Sequence, residues 1–593
     1  MFYRSPTEDH SQRLRRARPM IAMASVAFAI GAIVGANHTT SSSRALAQSF
    51  VASWTKGDYA RMYSDIDASS QQATSLTAFA DAYHRALATA TATSLRVAGK
   101  GSEAPGGRVV VPVRVHTRLF GTLDLPFTVS TVSTGGEGTR IAWSSSLAFP
   151  GLRPGERLSR HTTLPRRATL LARDGSVLAE SPEAGPGDSQ PAGLDRTSPL
   201  GELATAVVGE VGPVPTARRA ELEAEGVPRT AIVGVSGLEQ ALDDRLRGTP
   251  GGELLAGRRV LASVAPRQAQ AVRSTISPSV QRAAVTALGG QLGGIVAMQP
   301  SSGQIVAVAG IGLDSLQPPG STFKMVTVSG VLGAHLANPH TVFPYATYAT
   351  LDGVKLNNAN GEECGGTLEL AFAVSCNSVF APLGVKLGAA RLVATAEHFG
   401  FNQPPGIAGA AESTLPPASQ IQGELDVGST AIGQGQVDAS ALQMAIVAAT
   451  IAEAGQRPTP TFDPDAPPAA KPAEISASVA RTVRHLMIGV VRFGTGTSAA
   501  IPGVTVAGKT GTAELKTACT PAASSSSESN SGESGGCQAA NEPSNTDAWF
   551  ASFAPALHPR IVVAVLLVKD GAGGATAAPV AREVLEAGLH SGH

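Results

Sequence analysis

The chain has few cysteines, few aromatic side chains and no excess charge of either sign. Its 593 residues include four cysteines, and aromatic residues make up 4% of the sequence. Basic and acidic side chains number 46 each, so nothing in the charge balance favours nucleic acid or another polyanion as a partner. No two cysteines have the C-x-x-C spacing of a metal knuckle. The length exceeds one hydrophobic core, and typical domain sizes predict about three or four domains.

One uncharged apolar run, residues 19–36, lies near the N-terminus. The arginines that precede it are Arg13, Arg15, Arg16 and Arg18. A membrane-spanning helix needs about 17–25 apolar residues, and flanking arginines stay in the cytoplasm. We therefore expect a cytoplasmic tail at 1–18, a single-pass anchor in the cell membrane at 19–37, and an extracytoplasmic remainder. The alternative is a signal peptide cleaved near Ala45-Leu46-Ala47, but that site lies far beyond the apolar run.

Three short motifs follow one another in the second half of the chain. They are Ser321–Lys324, Ser375–Asn377 and Lys509–Thr512. A serine and a lysine three residues apart lie on one face of a helical turn, so the amine can reach the hydroxyl. A neutral lysine there could deprotonate the serine, and a second cation could hold an anionic substrate. Ser53 and Lys56 fit the first pattern too, but the other two patterns occur once each.

The order and spacing of these motifs resemble those of penicillin-binding proteins, the serine acyltransferases that cross-link bacterial peptidoglycan. Other runs that resemble the family are Gly294–Met298, Ser302–Ala307, Gly433–Gly435 and Asp547–Ala551. The resemblance extends from about Thr275 to the end of the chain. It implies a transpeptidase domain at 268–593, with an antiparallel sheet flanked by helices as in serine β-lactamases.

The resemblance implies a role for each motif residue. Ser321 would be the nucleophile, and Lys324 its base if burial or nearby positive charge lowers the lysine pKa. Lys509 could supply that charge. Ser375 would relay a proton between Lys324 and the leaving amine. Asn377 would hydrogen-bond Lys324 and the substrate amide.

The third motif is expected on an edge strand, where Gly511 would let substrate lie against the backbone. The hydroxyls of Thr510 and Thr512 would hold the terminal carboxylate of the substrate. The N–H groups of Ser321 and Thr512 would form an oxyanion hole, worth about 3 kcal/mol per donor in comparable enzymes. The family requires no metal and no cofactor. Each of these residues, taken alone, has an ordinary structural explanation, such as a helix cap for Ser321. The occurrence of all three motifs in the family's order favours the catalytic interpretation.

The first part of the extracytoplasmic chain has the sequence pattern of an α+β unit. Residues 44–63 carry apolar side chains at helical spacing, and apolar residues then alternate along 109–115 and 123–129 as in strands. Residues 44–150 resemble the nuclear-transport-factor-like domain of some class B penicillin-binding proteins. We interpret the aromatic residues of this domain as core, and Ser53 with Lys56 as surface.

Residues 151–267 resemble the pedestal, or dimerisation, domain of the same class, which is mainly β. The glycine-containing runs Gly234–Glu239 and Arg247–Gly252 match its later signatures, and we interpret these glycines as turns. The family's arginine-glycine-x-isoleucine run appears here as Arg167–Gly175, with Ala168 where glycine is usual and Ala172 where aspartate is usual. The resemblance therefore does not assure that motif's usual turn and ion pairing.

The cysteines suit an oxidising compartment. Cys519 and Cys537 bracket a Ser/Gly-rich segment that cannot build a core and is expected to form a surface loop. A disulfide closing that loop would stabilise the fold by about 3 kcal/mol in the chain-entropy model. Cys364 and Cys376 are a second candidate pair. The alternative is that Cys376 is simply a small buried residue in the wall of the site.

The leading hypothesis is a membrane-anchored D,D-transpeptidase that attacks D-Ala-D-Ala of a peptidoglycan stem peptide and is acylated by β-lactams. A D,D-carboxypeptidase or β-lactamase, in which water takes the acyl group, is the alternative among enzymes. A class A β-lactamase would have aspartate at Cys376 and a separate deacylating glutamate, for which we find no convincing counterpart.

A binding protein is the hypothesis from another class: a β-lactam sensor, or a catalytically weak scaffold of the growth or division machinery. A sensor would need a transducing domain, for which residues 1–18 are too short. A scaffold would be expected to have lost Ser321 or Lys509, and both are present. The resemblance also implies a polytopic glycan polymerase as partner, contacted through the anchor and pedestal.

Overall fold

The computed structural model describes residues 41–133, 138–181, 196–467, 472–514, 517–519, 537–539 and 545–591. The expected tail and anchor lie outside these residues. Within the described part of the chain, no single helix is long and apolar enough to cross a membrane. One bent pair, Asn377–Leu387 with Ala389–His398, passes by length and composition alone, with an angle of 99° between its two helices.

The N-terminal unit packs four helices against an antiparallel sheet with the order β1-β3-β4-β5, in which β2 also pairs with β3. Its elements are α1 Ser42–Lys56, α2 Tyr59–Asp65, α3 Ala68–Ala73, α4 Leu76–Thr89, β1 Ala92–Val97, β2 Ser102–Ala104, β3 Arg108–Thr117, β4 Gly121–Ser133 and β5 Thr139–Ile141. The valines that alternate along β3 are buried on its helix-facing side, as the alternation predicts.

The single helix predicted over 44–63 is wrong, because the chain breaks between α1 and α2. Gly57 ends α1 in the left-handed conformation, with φ 71°, and Asp58 caps α2 by accepting a hydrogen bond from Arg61 N. The aromatic residues form the core, as expected: Trp54 meets Phe127 edge to face at 5.0 Å between ring centroids. Helix α1 ends at the exposed Lys56, the lysine of the Ser53–Lys56 pair that also fits the pattern of the first motif.

The second unit combines three small sheets with four short helices. Its elements are β6 Leu158–Thr163, β7 Leu170–Leu171, β8 Val177–Ala179, α5 Glu202–Val208, β9 Val211–Pro213, α6 Arg219–Ala224, β10 Ile232–Gly234, α7 Gly237–Ala241, α8 Asp243–Leu246, β11 Gly251–Ala256, β12 Arg259–Val264 and β13 Val272–Arg273. Arg167, which precedes the two alanines that differ from the family, has ion pairs in this structure. Arg167 is buried and pairs with Glu239 and with Asp243, the latter at 2.8 Å.

The third unit is built on a five-stranded antiparallel sheet with the order β15-β14-β24-β23-β20. Its helices are α9 Pro278–Leu288, α10 Lys324–Gly333, α11 Leu368–Ala373, α12 Asn377–Leu387, α13 Ala389–His398, α14 Gly423–Ala431, α15 Ala441–Ala452, α16 Ala477–Phe493 and α17 Ala577–His590. Its strands are β14 Gly293–Met298, β15 Ile305–Gly310, β16 Val342–Ala346, β17 Tyr348–Leu351, β18 Val354–Asn357, β19 Cys364–Thr367, β20 Ala507–Glu514, β21 Thr517–Cys519, β22 Cys537–Ala539, β23 Thr546–Ala554 and β24 Ile561–Leu567.

Both faces of this sheet are covered by helices. The central strands β23 and β24 are buried along their whole length, which explains their near-continuous apolar sequence. Helices α9 and α17 pack on one face with their own apolar cluster. The larger cluster lies on the other face and includes α10, α12 and α15. Strand β20 is left at the edge of the sheet, beside α16 and the turn that precedes α10.

Candidate active site

Ser321 lies on a 3-10 turn, Gly320–Phe323, that leads directly into α10. Residues three apart eclipse each other in a 3-10 turn, which puts Ser321 above Lys324. Gly320 has φ 50°, and its N–H donates to the carbonyl of Gly433 over 2.9 Å. A Cβ on Gly320 would come within 2.8 Å of Thr512 O, so glycine is what lets this turn lie against β20.

Lys324 is fully buried and its amine is held by the second motif. The Nζ atom donates to Ser375 O and Asn377 Oδ1, both at 2.7 Å, and lies 3.3 Å from Ser375 Oγ. Burial lowers the lysine pKa well below its usual value, and the charge of Lys509 lowers it further. A lowered pKa favours the neutral form of the amine, which is the form that can accept a proton.

The predicted contact between Lys324 and Ser321 is not made in this state. Among the described residues, no hydrogen bond joins the Ser321 hydroxyl to the lysine amine, because Ser375 and Asn377 occupy the amine. Contacts between nucleophile and base are often long before substrate binds. The two groups are nevertheless on one turn, three residues apart.

Ser375 is held in a strained conformation between the two lysines. Its φ is 65°, in the left-handed region that non-glycine residues rarely adopt. Its Oγ accepts a hydrogen bond from Lys509 Nζ at 2.8 Å and lies within 3.3 Å of Lys324 Nζ. Such strain costs about 1–3 kcal/mol and persists where the surroundings fix it, as at functional sites. Because both amines donate to its oxygen, the hydroxyl of Ser375 can donate its own proton to a third group.

Lys509 lies on β20, the edge strand that the sequence predicted for this motif. Its side chain is buried, and burial lowers its pKa to about 7. Besides Ser375, the amine donates to Thr510 O at 3.0 Å and lies 5.5 Å from the centre of the Phe372 ring. The charge of Lys509 is one of the causes that lower the pKa of Lys324, after burial, so the two amines are electrostatically coupled.

The two threonines of the third motif have partners that the sequence did not predict. Thr510 Oγ1 lies 2.6 Å from Thr495 Oγ1, and Thr512 Oγ1 accepts a long hydrogen bond, 3.4 Å, from Gly573 N. Thr495 is exposed and follows the end of α16. The glycine-threonine repeat at 494–497 is the signal that could have drawn attention to it.

Gly511 is also required for a contact within the protein, while its expected role toward substrate stays a prediction. A Cβ at this position would come within 2.8 Å of Pro319 O and 2.9 Å of the Trp549 side chain. The missing side chain therefore lets β20 approach the turn that carries Ser321. This close approach brings Thr512 next to Gly320.

The cysteine of the second motif is bonded to another cysteine. Cys364 and Cys376 form a disulfide between the start of β19 and the residue before α12. Strands β21 and β22 pair in a register that sets Cys519 opposite Cys537. The side chains of this second pair lie outside the described residues, so that bridge stays a prediction. Within the described ranges, no cluster of three or more His, Cys, Asp or Glu side chains could hold a metal ion.

Three family models match the chain in consecutive segments. The NTF2-like N-terminal transpeptidase domain matches residues 42–156, and the penicillin-binding protein dimerisation domain matches 186–257. The penicillin binding protein transpeptidase domain matches 293–586. The boundaries predicted from the sequence stay predictions, and the matched segments follow in the predicted order.

Known proteins are similar over most of this architecture. Peptidoglycan D,D-transpeptidase PbpA of Mycolicibacterium smegmatis is 33% identical over 425 residues, which cover 60% of this chain and 80% of that protein. The imipenem acyl-enzyme complex of penicillin-binding protein A from Mycobacterium tuberculosis has 27% identity and a TM-score of 0.53, covering 72% of this chain and 99% of that one. Pseudomonas aeruginosa PBP2 in complex with WCK 5153 has 25% identity and a TM-score of 0.57, and the match covers 74% of this chain and 98% of that one. The chain therefore belongs to the class B penicillin-binding proteins.

Proposed function

We propose that the chain is a peptidoglycan D,D-transpeptidase that cross-links stem peptides through an acyl-enzyme on Ser321. The observation that carries this is the Ser375 hydroxyl, whose oxygen faces the amines of both Lys324 and Lys509. A buried, uncharged amine next to a serine, with a second lysine holding the charge, is the arrangement that acyl transfer requires. Relatives whose names describe D,D-transpeptidases support the same activity.

The first half-reaction forms the ester. Ser321 Oγ attacks the carbonyl carbon of the penultimate D-alanine while its proton passes to the neutral amine of Lys324. The developing oxyanion accepts hydrogen bonds from the N–H groups of Ser321 and Thr512. The Ser375 hydroxyl then gives its proton to the leaving amine nitrogen and is reprotonated by Lys324. Terminal D-alanine leaves, and the acyl group stays on Ser321.

The second half-reaction reverses these proton transfers. The amine of a neighbouring stem peptide attacks the ester carbonyl, and its proton returns through Ser375 and Lys324 to Ser321 Oγ. The products are a new amide and free enzyme. The strained conformation of Ser375 supports this relay, because it fixes the position of the hydroxyl. The same hydroxyl can then pass a proton between Lys324 and the substrate nitrogen in both half-reactions.

The substrate carboxylate is bound at β20. Lys509 supplies the positive charge there, and the Thr510 and Thr512 hydroxyls supply hydrogen bonds. Thr495 joins this group because its hydroxyl is 2.6 Å from that of Thr510. An anion at this site raises the pKa of Lys509 and so keeps the lysine charged when substrate is bound.

The protein acts at the outer face of the cell membrane. The arginines and apolar run of residues 13–36 support a single-pass anchor with a cytoplasmic N-terminus. A polytopic glycan polymerase, contacted through the anchor and the pedestal, is the partner that supplies glycan strands. β-Lactams acylate Ser321 because their strained amide resembles D-Ala-D-Ala.

Labelling with a fluorescent penicillin tests the site. One covalent label per chain is expected, and Ser321→Ala removes it. The matched control is Ser53→Ala, which alters the serine of the Ser53–Lys56 pair on α1 and leaves labelling unchanged. Rapid turnover of the label would favour a β-lactamase, and labelling that survives Ser321→Ala would assign the nucleophile to another residue.

A further inference from the structure

Asn358 is a buried polar side chain just outside the second motif, and every one of its amide groups is used. Only 5% of the residue is exposed. Its Nδ2 donates to Ala346 O at 2.7 Å and to Glu362 O at 2.8 Å. Its Oδ1 accepts from Ser378 N at 2.8 Å. The side chain thus ties the end of β16, the loop before β19 and the start of α12 together.

Helix α12 needs this contact because it lacks its own cap. The first N–H groups of a helix have no partner within the helix, and a serine, threonine or asparagine at the N-cap normally accepts from one of them. Here the N-cap residue is Cys376, which makes no capping hydrogen bond and is bonded to Cys364 instead. Asn358 supplies the missing acceptor from another part of the chain.

The residue before Asn358 contacts the catalytic motif directly. Asn377 Nδ2 donates to Asn357 O at 2.9 Å, while Asn377 Oδ1 accepts from Lys324 Nζ at 2.7 Å. An amide presents its oxygen on one side and its nitrogen on the other. The carbonyl of Asn357 therefore decides which way the amide of Asn377 faces, and Asn358 fixes that carbonyl in place.

We propose that Asn358 is a positioning residue for acyl transfer, which acts through Asn357 and Asn377 to hold the amine of Lys324. This inference rests on the proposed function, since its effect is measured as acylation of Ser321. Asn358 reaches no reacting atom itself. Without it, α12 begins less firmly, the carbonyl of Asn357 moves, and the Asn377 amide is free to rotate away from the lysine.

The test compares Asn358→Ala with wild type in the full chain, using the second-order rate constant for acylation by a fluorescent penicillin. A fall of about tenfold to a hundredfold is expected, as for other small misplacements near a reacting group. The matched control is Asn338→Ala, because Asn338 closes an exposed turn of the same unit through His340 N and contacts no motif residue. We expect this control to acylate at the wild-type rate.

The pH profile separates positioning from a loss of folded protein. An acceptor on Lys324 favours its protonated form, so losing Asn377 Oδ1 lowers the pKa of Lys324. The acid limb of the acylation profile should therefore move to lower pH in Asn358→Ala. The ionisable group that faces Lys324 from the neighbouring strand is Lys509, which is unchanged in the variant. Reduced folding alone would lower the rate at every pH without moving the limb.

A double-mutant cycle makes the same distinction without pH. In an Asn377→Ala background, Asn358→Ala should lower the rate less than about twofold, because the amide it positions is gone. Full additivity of the two substitutions overturns the inference, as does Asn358→Ala acylating at the wild-type rate.

If Asn358→Ala does not fold, Asn358→Asp replaces it. Aspartate keeps an acceptor for Ser378 N but repels the carbonyls of Ala346 and Glu362, so the same loss and the same shift are expected. Absence of either in Asn358→Asp also overturns the inference. Absence of labelling in wild type is a different result: it removes the proposed function, and the inference with it.

Discussion

Replacing Lys509 by methionine should slow acylation strongly while making the protein more stable at low pH relative to wild type. Methionine keeps the length of the side chain and packs against the Phe372 ring, which lies 5.5 Å from the amine. It removes a cation beside the reacting centre. By comparison with the loss of one oxyanion-hole donor, acylation should fall about a hundredfold to a thousandfold.

The effect on stability follows from the pKa of Lys509, which burial lowers from 10.5 to about 7. The unfolded chain then binds more protons than the folded chain between these values, so wild type gains stability as pH rises through that range. The gain is about 2–3 kcal/mol between pH 6 and pH 9 by this linkage. Lys509→Met lacks it. Removing the charge of Lys509 also raises the pKa of Lys324 toward its unfolded value. The stability of the variant therefore depends even less on pH than that of wild type.

Urea unfolding of both proteins at pH 6 and pH 9 measures this difference, and penicillin labelling measures acylation in the same samples. We expect the free energy of unfolding of wild type, relative to Lys509→Met, to rise with pH. A gap that is constant across this range would refute a lowered pKa for Lys509. A Lys509→Met variant that no longer unfolds cooperatively would show that the lysine is a structural residue.

Three further predictions concern the same unit. The second-order rate constant for acylation should be bell-shaped in pH, rising as Lys324 loses its proton and falling as Lys509 loses its own near pH 7; a rate that keeps rising to pH 9 would contradict these roles. Gly511→Ala should destabilise the fold and slow acylation, because its Cβ would lie 2.8 Å from Pro319 O; a wild-type melting temperature and rate would contradict this packing. Cys519 and Cys537 should be linked in protein from an oxidising compartment, and mass spectrometry without reductant that finds two free thiols would refute the bridge.

The parts of the fold that the sequence predicted are those written in local patterns. Alternating valines predicted β3, because a period of two acts over a few residues, and the resemblance to the family placed the third motif on an edge strand. The break at Gly57 was missed, since one glycine inside a helical pattern is compatible with either outcome. The core of the N-terminal unit was predicted because large apolar side chains at helical spacing have few other uses.

Most of the site was predictable as a set of residues, and one of its contacts was predictable too: the family resemblance implied the hydrogen bond between Asn377 and Lys324, which the structure contains. Motif order identified Ser321, Lys324 and Lys509, but no local pattern shows that the amine of Lys324 has Ser375 O as its other partner instead of Ser321. Asn358 and Thr495 belong to loops that reach the site through the folding of distant segments. Neither residue belongs to a recognisable motif, and only the tertiary structure brings them close to the three motifs.

The most direct measurement follows the acyl group. The full chain, in membranes, is incubated with a stem pentapeptide ending in D-Ala-D-Ala and an excess of an acceptor amine, and the products are separated by mass spectrometry. We expect release of one D-alanine for each new amide between the two peptides, and neither product with Ser321→Ala. A tetrapeptide with a free carboxylate as the dominant product would contradict transpeptidation, because it would mean that water, and not the amine, takes the acyl group.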